Sequence, residues 1–155
     1  MTTKILAACI LFFASISTSY ADPILIGKWK SDSVLSMKFN REKAIMQDKT
    51  ALFLDQLMGH MIITFTPTKM ITDMPDVDTK SALGVVSRFR ESHESGVYKF
   101  LGSTSTQVAI SAAEPVTGLQ KITVFNFEDE NTAWIYLGGG NFPDMNLREY
   151  FVRQH

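Results

Sequence analysis

Three histidines, His60, His93 and His155, are the side chains best suited to metal binding or proton transfer, and their placement supports neither. None stands four residues from another, so no helix would present two imidazoles on one face to a shared ion. Serine and aspartate are plentiful, but the Gly-x-Ser-x-Gly elbow that exposes a nucleophilic serine is missing. Asp73, Asp76 and Asp78 form an acidic stretch without the ligand spacing or closing glutamate of a calcium loop, and they read as a solvated turn. Gly138-Gly139-Gly140 leads into no helix whose N-terminus would hold a phosphate. The single cysteine, Cys9, lies near the N-terminus, so the rest of the chain has no thiol nucleophile, disulfide or thiolate zinc site. No catalytic residue, metal or cofactor is assigned, and an enzymatic reading lacks convergent titratable groups. One pair remains. In Arg148-Glu149-Tyr150 the outer two residues are two apart, so on a strand they share a face.

The stretch Met1–Ala21 bears on where this chemistry would operate. Lys4 precedes an apolar run, Ile5 to Ile16, of roughly a dozen residues, and Ser17 to Ala21 then turns small and polar. That is the layout of a cleaved signal peptide ending near Ala21, with Ser19 and Ala21 at the positions a signal peptidase reads. The run is shorter than the roughly 20 residues that span a bilayer, so no membrane span is expected after cleavage. Leu6-Ala7-Ala8-Cys9 matches a lipoprotein cleavage pattern, but Cys9 comes before most of the apolar run, so lipidation there is the weaker reading. Residues 22–155 would form one domain in the periplasm or outside the cell. The whole chain carries a formal net charge of −1, one unit more negative without Lys4. That balance gives no case for nucleic acid or for an anionic membrane surface.

The elements that would position Arg148 and Tyr150 are mostly strands. Ile24 to Lys30 is a short apolar run broken by Gly27. Residues 32–39 are ambiguous, because Leu35, Met37 and Phe39 also alternate as a strand would. Asp48 to Met58 is helical, with Asp48 able to cap it, Ala51, Leu54 and Met58 on one face, and Gly59 to end it. From residue 60 the period becomes two, with strands expected near 61–66, 69–74, 82–91, 97–102, 106–112, 120–128, 132–137 and 147–154. Residues 75–79 and 93–96 read as turns. No helix separates these strands, which argues for an antiparallel meander that hides its edges by closing into a barrel. The expected fold is therefore all-β in the main: eight or nine strands, with a helical segment between the first and second.

Gly27-Lys28-Trp29 on the first strand resembles the lipocalin and wider calycin superfamily. The resemblance implies that Trp29 packs at the closed end of the barrel with an arginine of the last strand over its ring, a structural pair of Trp29 and Arg153, with Arg148 the second choice. Gly27-Lys28-Trp29-Lys30-Ser31-Asp32, the helical segment, Trp134-Ile135-Tyr136 and Arg148-Glu149-Tyr150-Phe151 also resemble, in order, small uncharacterised bacterial secreted proteins with a lipocalin-like domain. Those supply no activity. The helical insertion and the Arg-x-Tyr pair resemble intracellular fatty-acid-binding proteins. That likeness implies that Arg148 and Tyr150 hold a ligand carboxylate and that Leu54, Leu57 and Met58 touch the ligand from a lid. Alternation sets a competing expectation: if Arg153 covers Trp29, then Phe151 and Arg153 share the inner face.

The fold resemblance and the apolar strands imply a binding module for a small hydrophobic or amphipathic, lipid-like ligand. The alternative is a protein-interaction or inhibitor module with a solid core, presenting an apolar patch on residues 34–58 or 138–146. Phe125, Phe127, Trp134, Tyr136, Tyr150 and Phe151 crowd the last strands and suit either a filled core or a cavity wall.

Overall fold

A computed structural model describes residues 22–113, 118–137 and 145–155. The expected signal peptide and Cys9 lie outside the described residues, as does most of the Gly138–Asn146 loop. Strand β1 (Gly27–Asp32) leads into helices α1 (Ser33–Lys43) and α2 (Asp48–Leu57). There follow β2 (Ile62–Phe65), β3 (Lys69–Met74), β4 (Val77–Lys80), β5 (Val86–Phe89), β6 (Ser92–Ser103), β7 (Gln107–Ala113), β8 (Gln120–Phe127), β9 (Thr132–Tyr136) and β10 (Arg148–Gln154). Eight of the strands close an antiparallel barrel in the order β1-β10-β9-β8-β7-β6-β3-β2, and both helices stand between its first and second strands. The remaining two, β4 and β5, form a separate hairpin.

That hairpin corrects the expectation of a turn at 75–79. Val77 and Thr79 are buried while Asp78 and Lys80 face out, a strand too short to declare itself by periodicity. Residues 93–96 are likewise strand rather than turn, because β3 pairs with β6 from Ser92 to Val97. The ambiguous segment after Asp32 is helix. Asp32 caps α1 by accepting the Leu35 N–H (2.9 Å). Asp48 is the first residue of α2, not its cap, which is Gln47.

Period-two alternation sends one face of every barrel strand inward. Ile63, Phe65, Tyr98, Val108, Ile110, Phe125, Phe127 and Phe151 meet there with Trp29 to form the main core. At the end where β1 begins, the Trp29 indole N–H donates to the Leu25 carbonyl (2.9 Å), and the ring packs edge-on against Phe127. The Arg153 guanidinium lies 4.3 Å from the Trp29 ring centroid. It donates to the carbonyls of Ile24, Ile26 and Glu130, so one planar fork ties three chain segments over the closed end. Gly27 permits this approach. Its φ is 128°, and a Cβ there would stand 2.9 Å from the guanidinium.

At the opposite end α1 does the work of a strand. The pairing of β1 with β10 stops at Asp32–Tyr150, leaving the backbone of Arg148 without a strand neighbour on that side. The Asn40 side-chain amide fills the gap. It accepts the Arg148 N–H and donates to the Arg148 carbonyl, each at 2.8 Å, while the Ser36 hydroxyl accepts the Tyr150 N–H (2.8 Å). The spacing matches because four helical residues rise about 6 Å and two strand residues about 6.6 Å. Ser36 and Asn40 are fully buried in consequence.

Candidate functional site

Helix α2 covers the open end. Leu54 and Met58 pack with Met37 and Leu147 in a second apolar cluster, and Phe53 meets Phe89 of the outer hairpin at 5.6 Å between ring centroids. Beneath α2 a cavity of about 470 Å³ enters the barrel, within the usual size range for small-molecule sites. Leu54, Leu57 and Met58 form its roof, and Met61, Met74, Leu137 and Phe89 line its walls. The polar lining is Thr72, Ser92, Glu94 and Glu149. The barrel is thus packed with aromatics at one end and hollow at the other.

Of the residues singled out in the sequence, Leu54, Leu57 and Met58 all stand on this cavity. Arg148 and Tyr150 do not. Strand alternation, set by Arg153 on Trp29 and by Phe151 in the core, turns residues 149, 151 and 153 inward and 148 and 150 outward. The carboxylate clamp across Arg148 and Tyr150 is therefore corrected: the pair shares a face, but that face is the outer wall. There the Arg148 guanidinium lies between two rings, 3.6 Å from the Trp134 centroid and 4.0 Å from that of Phe39 on α1. Its Nε is buried without a hydrogen-bond partner. Tyr150 packs beside Phe39 and donates to Glu128 (3.1 Å). Both side chains pin α1 to the barrel.

The polar group that does enter the cavity is Glu149, which carries no flag in the sequence other than its parity with Phe151 and Arg153. It is 5% exposed. Burial pushes its carboxyl above the ordinary carboxylate range, while a hydrogen bond from Ser31 pulls the other way. The Ser31 hydroxyl accepts the Gly59 N–H (2.9 Å) and donates its one proton to Glu149 Oε1 (2.6 Å). The loop that ends α2 is thereby tied to the carboxyl. No described residue bonds the other carboxyl oxygen.

The remaining candidates are dispersed. His93 pairs with Asp73 on the outer face of β3 and β6, at an exposed contact. Asp78 holds Arg88 through both carboxylate oxygens (2.7 and 2.8 Å), and Asp76 accepts the Glu91 N–H. The acidic stretch is consumed by separate local partners. Among the described residues no three His, Cys, Asp or Glu side chains gather as a metal site, and no helix is long and apolar enough to cross a membrane. A second depression, about 640 Å³, lies outside the barrel around Lys30, His60, Asp73 and His93. Lys30, Asp73 and His93 point away from the core by alternation with Trp29, Thr72 and Glu94, so this depression is an outer groove that does not belong to the interior site.

The chain matches no known protein family, no curated protein and no solved structure.

Proposed function

We propose that this chain is an exported, lipocalin-like module that binds one small, mainly apolar ligand in the cavity beneath α2. The observation that carries the reading is the cavity itself: about 470 Å³, roofed by Leu54, Leu57 and Met58, with one buried carboxyl at Glu149. Such a combination of apolar wall and few polar groups is the usual composition of a small-molecule site. The Gly27-Lys28-Trp29 start and the Arg153 stack support the family likeness, and the layout of Met1–Ala21 supports export. A solid-cored interaction module fits less well, because only the closed half of the barrel is filled.

Titration of the protein with the neutral dye Nile red, followed by displacement with decanol, tests the reading. One dye should bind per chain, and decanol should compete. Leu57→Trp, which places an indole in the cavity, should weaken both by about tenfold or more with an unchanged circular dichroism spectrum. An unenhanced dye and a melting temperature unmoved by decanol would overturn the proposal.

A further inference from the structure

The charges around the cavity discriminate among ligands. Among the described residues two ionisable groups line it, Glu94 from β6 and Glu149 from β10. The faces contributed by α2, β3 and β5 add apolar side chains and Thr72, and none of them titrates. Among the described residues no lysine, arginine or histidine lines the cavity. An anionic ligand head would therefore meet two carboxyls and no counter-charge. Glu149 is also held in place. Since the only Ser31 proton goes to Oε1, Oε2 is the atom a ligand meets, whether the carboxyl is neutral or ionised. Ionised and unpaired in an apolar wall, that carboxylate is costly; a cation set against it removes the cost and gains a charge-assisted hydrogen bond.

Resting on the cavity reading above, we propose that the site selects an amphipathic amine, its ammonium on Glu149 Oε2 and its hydrocarbon body against Leu54, Leu57 and Met74, over a fatty acid. Glu94 at the rim adds a second favourable charge. Burial raises the proton affinity of the Glu149 carboxyl and an ammonium set against it lowers that affinity, so amine binding is linked to release of protons to the buffer.

Calorimetric titration near neutral pH with decylamine, decanol and decanoate, each below its micellar concentration, separates the possibilities. Decylamine should bind about tenfold tighter than decanol, and decanoate more weakly than decanol. Repeating the amine titration in buffers of different ionisation enthalpy should show proton release. In Glu149→Gln, which keeps the Ser31 bond, the amine advantage over decanol and the proton release should both disappear. Equal affinities for amine and alcohol, or an amine advantage that survives Glu149→Gln, would overturn the selectivity and leave the cavity reading standing. If decanol also fails to bind, the cavity reading itself falls.

Discussion

Replacing Asn40 tests whether a helix truly completes the barrel edge. The Asn40 amide makes two hydrogen bonds of 2.8 Å to the Arg148 backbone and is fully buried. Each bond contributes about 1 kcal/mol net, and each buried backbone group left without a partner costs about 1–3 kcal/mol. Asn40→Ala should therefore lose about 2–5 kcal/mol in urea denaturation, allowing some relief from water entering the gap. Asn40→Leu keeps the four-atom branched outline without either bond, but is bulkier, and should lose at least as much. Ser36→Ala removes a single acceptor and should cost about 1–2 kcal/mol. Amide hydrogen exchange gives the local readout: protection at Arg148 should fall in the Asn40 variants, and protection at Tyr150 in Ser36→Ala. A loss below about 1 kcal/mol for Asn40→Ala, or unchanged protection at Arg148, would refute the idea that α1 substitutes for a strand.

Two further outcomes follow from the charged side chains at the two ends of the barrel. Arg153→Ala removes a ring stack worth about 0.5–2 kcal/mol together with charged hydrogen bonds to three carbonyls; partial exposure discounts the latter, and urea denaturation should show a loss of about 2–4 kcal/mol, with Arg153→Lys recovering less than half. Glu149 sets a pH dependence: its folded carboxyl binds protons more tightly than its unfolded one, so its effect on stability becomes less favourable as pH rises above about 4.5, toward and through its raised folded value. Glu149→Gln should remove that downward slope, so melting curves of the two proteins should diverge with rising pH in favour of the variant, and parallel curves would refute the assignment.

How much of this could be read from the sequence depends on which physical signal each element carries. The barrel strands declare themselves because a half-buried strand must alternate, as Ile63 and Phe65 do in β2 and Val108 and Ile110 in β7. Helix α1 hides for the converse reason. Its buried residues are Ser36, Met37 and Asn40, so two of the three are polar. A helix that packs on a strand's edge needs hydrogen-bonding side chains there, not an apolar stripe, and amphipathic periodicity fails to mark it. Strand β4 hides for another reason: Val77 and Thr79 are its buried residues over a length of four, too few to mark a period.

The cavity residue was within reach of the sequence by a different route. Once Trp29 and Arg153 are placed together, parity along LREYFVRQ leaves no freedom: Phe151 and Glu149 must follow Arg153 inward, and Arg148 and Tyr150 must turn out. The Arg-x-Tyr spacing draws the eye because it resembles a carboxylate clamp, yet spacing defines a shared face without saying which face it is. The structural pair at the closed end supplies that missing phase. It explains why a glutamate, unremarkable between two more conspicuous neighbours, is the polar group beneath the lid. It also explains why the conspicuous neighbours serve the helix instead: an arginine turned outward on this strand meets Phe39 and Trp134, and its stack holds α1 where Asn40 and Ser36 can close the edge. The outer wall keeps the barrel shut at β10, and the inner wall of the same strand remains free to face a ligand.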